Sequence, residues 1–170
     1  MIDGGKVVTA SGHQVAVTEV MMFKKILCPV DFSEPSRYAM RSAAQLAIDT
    51  GAELVVAHAW ESPLHPEYSE LILKNDAFAP VLKKEEDALA AIKRELEGLG
   101  PRSVQAKLLF GVPWHAIVEE SRKDPTYDVI VMGTHGRSGI KHVLLGSVAE
   151  RVARHASCPV LLIRSKGTAS

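Results

Sequence analysis

The sequence has few aromatic residues and no excess of charge of either sign. Aromatic residues make up 5% of the 170 residues, and twenty basic residues balance twenty acidic ones. Proteins that bind nucleic acid generally need a basic surface and aromatic side chains on which bases can stack, so we expect no nucleic-acid partner. The hydrophobic content of 46% must then come mainly from aliphatic side chains, which predicts a core of Val, Leu, Ile and Ala.

Cysteines and long apolar segments are also scarce. Cys28 and Cys158 are the two cysteines, and neither belongs to a CxxC pair, so each is expected to be a buried reduced thiol. No run approaches the roughly 18 apolar residues of a membrane span. The first twenty residues lack the apolar core of a secretory signal. We therefore expect a cytoplasmic protein without a membrane partner.

The composition along the chain predicts a division into three parts. Residues 1–21 form an N-terminal leader, residues 22–166 a compact domain, and residues 167–170 a polar tail. The leader contains two short apolar stretches, 7–10 and 15–18, separated by Ser-Gly-His-Gln. This pattern is compatible with a weak hairpin and equally with a flexible segment.

The domain alternates apolar strand-like runs with helical segments. Apolar runs occur at residues 24–30, 53–59, 104–110, 129–132 and 159–164. Helical patterns occur at about 36–49, 81–99, from Pro113 onward and at 147–155, and Ser33 can cap the first of these helices. The proline-containing stretch 60–80 is interpreted as a loop. The apolar residues predicted on the inner helix faces are Met40, Ala43, Ala44 and Ala47 in the first helix and Leu82, Leu89, Ile92, Leu96 and Leu99 in the second. Strands that are apolar on both faces are typical of a parallel sheet covered by helices on both sides, so the sequence predicts an α/β fold.

Glycines follow the fourth predicted strand and precede the last predicted helix. Gly133 and Gly136 come directly after the strand, and Gly146 stands with Ser147 at the start of the helix. A strand, a glycine loop and a helix start together present backbone N–H groups and a positive helix end to a phosphate. The alternative is a structural connection in which the glycines are merely tolerated.

Asp31 comes directly after the first predicted strand. In open parallel sheets, ligands bind beyond the carboxyl ends of the strands, where the winding reverses. If the first and fourth strands are neighbours at that reversal, Asp31 and the glycine loop face one crevice. The alternative is that Asp31 only bonds its own backbone in a turn.

Five motifs in order resemble the universal stress protein family. They are residues 25–33, 55–59, 111–113, the series Gly133-x2-Gly136-x9-Gly146-Ser147, and residues 158–163. The glycine series is similar to that of the family's ATP-binding branch. The resemblance covers about residues 23–166. It implies a single-domain three-layer α/β sandwich of the adenine nucleotide alpha hydrolase-like type, with a five-stranded parallel sheet in the order 3-2-1-4-5.

The resemblance also implies a nucleotide site, occupied by ATP or another adenine nucleotide, with or without Mg²⁺. Asp31 would hold the adenosine. The other implied site residues are Pro29, Val30 and Ala59 around the adenine, Met132 and Gly133 near the sugar, Gly136, Gly146, Ser147 and Val148 on the phosphates, and His135 and Arg137 in the loop. At position 59, where ATP-binding members often have a larger aliphatic residue, Ala predicts a looser adenine slot. No catalytic residue and no protein metal ligand is assigned.

Three side chains outside this set also suit acid–base chemistry or metal binding. For His58, a structural role is the favoured interpretation over an acid–base role. His115 and Glu119 have the i, i+4 spacing of a metal pair on a helix, but no third ligand is near in sequence, so an ordinary helix surface is favoured. In the glycine loop, Lys141 and His142 could neutralise phosphate oxygens together with Arg137.

The last predicted strand, Val160–Ile163, would be an apolar edge strand. Bare edges of this kind are normally covered, so we expect pairing with a second copy in a homodimer; cover by leader residues 15–20 is the rival. The expected function is that of an ATP-binding regulatory or stress-survival dimer. A slow ATP-hydrolysing enzyme and a nucleotide-free dimeric scaffold are the alternatives. Catalysis is not favoured because the chain lacks the Walker motif GxxxxGK[ST].

Overall fold

The structure, a computed structural model of the chain, describes residues 6–8, 14–16, 23–61, 78–135 and 145–164. In the leader, strands β1 (Lys6–Val8) and β2 (Gln14–Ala16) pair with each other in an antiparallel two-stranded sheet. This pairing corresponds to the hairpin interpretation of the leader. The larger part of the described chain forms an α/β unit.

The α/β unit has five strands in one parallel sheet. Its elements in chain order are β3 (Lys25–Val30), α1 (Glu34–Thr50), β4 (Glu53–Trp60), α2 (Ala79–Leu99), β5 (Ser103–Phe110), α3 (Pro113–Lys123), β6 (Val129–Gly133), α4 (Ser147–His155) and β7 (Val160–Ile163). The sheet order is β5-β4-β3-β6-β7, and every neighbouring pair is parallel. Counted from β3, this is the predicted order 3-2-1-4-5, so the predicted fold class is confirmed. Across the described ranges, no helix is long and apolar enough to cross a bilayer.

The predicted start of α1 and both predicted ends of the loop before α2 differ from the structure. Helix α1 starts at Glu34 rather than at residue 36, because Ser33 is the N-cap and accepts a hydrogen bond from the Ser36 N–H at 3.4 Å. The predicted loop 60–80 is too long at both ends: Trp60 belongs to β4 and Ala79 to α2. Residues 62–77 of that loop lie outside the described residues.

The core forms two layers, one on each face of the sheet. On one face, Ile26 and Leu54 pack with α1 and α2; on the other, Leu27 and Val55 pack with α3 and α4. The predicted inner face of α1 is buried and consists of Met40, Ala43, Ala44 and Ala47. The predicted inner face of α2 is too long, because Leu99, its last residue, is 48% exposed.

The two cysteines are both free thiols and differ in burial. Cys28 lies fully inside the core, where burial raises the pKa of its thiol to about 12. A thiol with so high a pKa stays protonated at neutral pH and is a poor nucleophile. The prediction of a buried thiol outside any disulfide is confirmed for Cys28. Cys158 is only half-buried, and burial again raises its pKa.

Strands β3 and β6 pair only at their amino ends. The carboxylate of Asp128, just before β6, accepts hydrogen bonds from the backbone N–H groups of Lys24 (2.7 Å) and Lys25 (2.9 Å). Beyond the pairs Ile26–Val129 and Leu27–Ile130, β3 pairs with β4 alone and β6 with β7 alone. The two strands therefore separate toward their carboxyl ends and leave a crevice at the reversal of the winding.

Gly133, the last residue of β6, lies against the first turn of α1. A Cβ at this position would stand 3.1 Å from the Pro35 carbonyl oxygen and 3.2 Å from the His135 carbonyl oxygen. Both neighbours are backbone atoms, which cannot move aside as the end of a side chain can. The glycine therefore allows β6 and α1 to approach closely at the base of the crevice.

We expect Gly133→Ala to lower the free energy of unfolding by about 1–3 kcal/mol, the usual cost of overpacking. The measurement is urea denaturation of both proteins. Gly98→Ala is the matched control, because a Cβ at Gly98 meets no atom within 4 Å and alanine favours the helix. Equal losses of unfolding free energy in Gly133→Ala and Gly98→Ala would contradict the close approach of β6 and α1.

A charged contact links the amino end of β3 to the carboxyl end of α3, on the side of the sheet where the strands begin and away from the crevice. The Lys25 ammonium donates to Asp124 Oδ2 at 2.7 Å. This hydrogen bond, with a second one from Thr126, lowers the pKa of Asp124 from 3.8 to about 2. The ionised carboxylate is thus favoured in the folded protein, and it stabilises the fold at every pH above its unfolded pKa.

We expect Asp124→Asn to be less stable than the wild type at pH 7, by up to about 1 kcal/mol because the pair is partly exposed. The difference should narrow as the pH falls from about 4 toward 2, because protonation of the Asp124 carboxylate then removes the charge that asparagine also lacks. Urea midpoints of both proteins at pH 7, 4 and 2.5 measure this. A difference between the two urea midpoints that stays constant from pH 7 to pH 2.5 would contradict the lowered pKa of Asp124.

Candidate functional site

A cavity of about 410 Å³ lies in the crevice, beyond the carboxyl ends of β3, β4 and β6. Ten of the twelve sequence-predicted site residues line it: Pro29, Val30, Asp31, Ala59, Met132, Gly133, His135, Gly146, Ser147 and Val148. The other two, Gly136 and Arg137, lie outside the described residues, as do Lys141 and His142. The crevice thus brings together Asp31 and the start of α4, which are far apart in sequence.

Asp31 is held in a tight turn at one wall of the cavity. Its Oδ1 accepts hydrogen bonds from the Ser33 N–H at 3.1 Å and the Ser33 hydroxyl at 2.5 Å. Its own N–H donates to the Ser36 hydroxyl at 3.4 Å. The turn role weighed from the sequence is therefore present, and the same turn places the carboxylate at the cavity wall.

The start of α4 forms the opposite wall. Gly146 is the N-cap and has no side chain with which to bond the first-turn N–H groups. Its own N–H donates to the Thr134 carbonyl at 2.8 Å, and the Thr134 N–H donates to the Ile163 carbonyl at 3.0 Å. These bonds tie the helix start to the ends of β6 and β7. Uncapped N–H groups and the positive end of the helix are then available to an anion.

The glycine at position 146 is not required by its backbone conformation. Gly146 has φ −69° and ψ 152°, which is ordinary extended backbone that any residue adopts. What glycine provides here is space beside the helix start, so that a ligand can approach the backbone closely. Gly146 differs in this respect from Gly133, whose missing side chain makes room for α1.

His58 and Glu85 line the cavity on the α1–α2 side of the sheet. His58 is 6% exposed, and its Nδ1 lies 2.7 Å from the Val30 carbonyl oxygen. Because a carbonyl only accepts, Nδ1 carries a proton and donates it. Nε2 lies 3.6 Å from Glu85 Oε2. A buried and bonded His58 agrees with the structural role that the sequence favoured.

The residues that sequence reasoning missed fall into two groups. Trp60 and Thr134 are chain neighbours of predicted residues, and this adjacency could have indicated them. Ser36 and Glu85 reach the cavity from helices, and no motif marks their positions. The remaining members of the lining are Glu61, Pro113, Ile117 and Ala149.

The polar and apolar groups that line the cavity suit a nucleotide better than a metal ion. Among the described residues, no group of three or more His, Cys, Asp and Glu side chains could hold a metal. The cavity offers a carboxylate acceptor at Asp31, apolar wall at Val30 and Ala59, and helix N–H donors at Ser147. Hydroxyl groups, a flat base and an anion, the three parts of a nucleotide, each match one of these features.

Comparison with known proteins agrees with this geometry. The model of the universal stress protein family matches residues 22–164. Universal stress protein MJ0531 of Methanocaldococcus jannaschii is 39% identical over 149 residues, which cover 84% of this chain and 83% of that protein.

Solved structures give the same result. The structure of MJ0577, a universal stress protein of the same organism, has a TM-score of 0.71 at 30% identity and covers 86% of this chain and 99% of that one. A universal stress protein solved in complex with cAMP has a TM-score of 0.62 at 26% identity, with 84% and 98% of the two chains covered. With the family model matching most of its length, the chain belongs to the universal stress protein family.

Proposed function

We propose that this protein is an ATP-binding member of the family, of the glycine-loop branch, and acts as a cytoplasmic regulatory homodimer in stress survival. The observation that carries the proposal is the shared cavity. Asp31 at the end of β3 and Gly146 and Ser147 at the start of α4 line one space. An acceptor for hydroxyl groups and a helix start suited to phosphates therefore lie on one ligand-sized cavity.

The chemistry of ATP fits each part of this cavity. The ribose hydroxyls are donors for the Asp31 carboxylate, and the phosphates need donors in compensation for leaving water. The start of α4 offers such donors together with its dipole. A volume of about 410 Å³ lies within the roughly 300–1,000 Å³ common for small-molecule sites. Any Mg²⁺ would be held through the nucleotide phosphates.

Two further points support an adenine nucleotide. A universal stress protein that is 26% identical to this chain was solved in complex with cAMP. The spacing Gly133-x2-Gly136-x9-Gly146-Ser147 is the one that suggested ATP from the sequence.

The small Ala59 side chain makes the base slot wider than a larger aliphatic residue would. The affinity is therefore expected to be lower, by about 0.8 kcal/mol for each methylene that is absent.

The first test is thermal unfolding with ATP. At 100 times Kd the ligand adds about 2.7 kcal/mol of stability, which for a chain of this size raises Tm by about 5–10 °C. Gly146→Val should abolish this shift while leaving the Tm of the free protein nearly unchanged, because valine adopts the backbone conformation of Gly146. Differential scanning fluorimetry measures both quantities.

Gly98→Val is the matched control, since a Cβ at Gly98 meets no atom within 4 Å and Gly98 lies on α2, away from the cavity lining. It should keep the full ATP-induced shift. No shift in the wild type at millimolar ATP would favour a nucleotide-free scaffold. Formation of ADP under single-turnover conditions, lost in Asp31→Ala, would favour the enzyme over the regulator.

The proposed dimer is formed by the outer edge of β7. Within the described part of the chain, β7 pairs with β6 on one side and no strand pairs with its other side. The leader strands β1 and β2 pair with each other rather than with β7, which disfavours the rival cover. Leu161 on β7 is 43% exposed, and such an apolar edge is suited to an identical copy.

Leu161→Asp should convert the wild-type dimer into a monomer, because two carboxylates would meet at the two-fold interface without partners. Light scattering after size-exclusion chromatography measures the mass. Leu99→Asp changes a residue of similar exposure, 48%, at the end of α2 and should leave the dimer intact. Dissociation by both variants, or by neither, would contradict an interface at β7.

A further inference from the structure

We propose that His58 is a positioning residue for Asp31, holding the turn that carries this carboxylate in the conformation that receives adenosine. The proposal rests on the proposed nucleotide site and deepens it. It assigns a ligand-related role to a side chain for which the sequence favoured a structural role over an acid–base one. The evidence is the set of contacts that the His58 ring makes with the residues on both sides of Asp31.

Both chain neighbours of Asp31 contact the His58 ring. The ring Nδ1–H donates to the Val30 carbonyl at 2.7 Å. The Phe32 ring lies against the His58 ring, with centroids 4.3 Å apart and planes at 41°. His58 is at the end of β4, 28 residues from Val30. One buried ring from a neighbouring strand thus holds the backbone before Asp31 and the side chain after it.

The second contact stabilises a costly backbone conformation. Phe32 has φ 65°, in the left-handed region that a bulky residue rarely adopts. Such a conformation persists only where surrounding contacts enforce it, and it is common at ligand sites. Here it turns the chain so that the Ser33 N–H and hydroxyl both donate to Asp31 Oδ1. The ring contact, the turn and the carboxylate therefore act as one unit.

Glu85 lies beside the edge of the His58 ring that faces away from Val30. Its Oε2 lies 3.6 Å from Nε2, and its side chain is 21% exposed. Glu85 belongs to α2, which otherwise packs against β5 and β4. A 180° flip of the ring would place Cδ2 instead of Nδ1 against the Val30 carbonyl, and the hydrogen bond would be lost. The orientation of His58 is therefore set by its hydrogen bond to Val30, with Glu85 beside the other ring nitrogen.

A double-mutant cycle with Asp31 tests the role. His58→Phe keeps an aromatic surface for Phe32 and removes the donor to Val30, whereas His58→Asn keeps an N–H donor near the Nδ1 position. Isothermal titration should show ATP binding weakened about tenfold in His58→Phe, the equivalent of one hydrogen bond. His58→Asn keeps the donor but loses the ring contact with Phe32, so its binding should be weakened less, by about threefold. In the Asp31→Ala background, His58→Phe should cause no further loss.

A second readout separates positioning from general loosening of the fold. If His58 acts through Asp31, His58→Phe weakens ATP but not inorganic triphosphate, because the start of α4 is unchanged. Equal loss of both ligands would overturn the proposal, as would a tenfold effect that persists in Asp31→Ala. Unchanged ATP affinity in His58→Phe would also overturn it.

The outcomes distinguish this role from the proposed function. A wild type that binds no adenine nucleotide overturns both. A wild type that binds ATP, with His58 and Asp31 contributing independently, overturns only the positioning role. If circular dichroism shows that His58→Phe does not fold, Phe32→Ala takes its place, because it removes the ring contact between Phe32 and His58. Phe32→Ala should weaken ATP binding in the wild-type background and cause no further loss of ATP affinity in the Asp31→Ala background.

Discussion

The short pairing between β3 and β6 is the constraint on which the rest of the structure depends. Two residue pairs and the hydrogen bonds of Asp128 join the strands at their amino ends. Beyond these pairs each strand continues with its outer neighbour, so the backbone opens where the winding reverses. The Asp31 turn and the start of α4 occupy the two sides of this opening. A ladder of full length would leave no room between them.

Backbone carbonyl groups accept several of the hydrogen bonds that hold the two walls of the cavity. The Val30 carbonyl accepts from His58, the Thr134 carbonyl accepts from Gly146, and the Ile163 carbonyl accepts from Thr134. These hydrogen bonds tie the two walls to the ends of the strands.

Sequence reasoning was most successful where the signal is local or repeated. Apolar runs predicted the five strands of the parallel sheet, and Ser33 correctly predicted the cap of α1. It was less successful at the ends of elements, where the Trp60 boundary and the exposure of Leu99 depend on neighbouring elements. In the cavity lining, the motif residues were expected from the sequence, whereas Glu85 was not, because a helix surface carboxylate has no distinctive pattern.

The sequence by itself determined the alternation of strands and helices, the glycines after β6 and the carboxylate after β3, because each depends on residues close together along the chain. Only the tertiary structure decided that the His58 ring contacts both neighbours of Asp31 and that Glu85 faces that ring. These contacts join β3, β4 and α2, and their geometry follows from strand register and helix packing. No local pattern encodes such distances, since they arise only when the elements pack together.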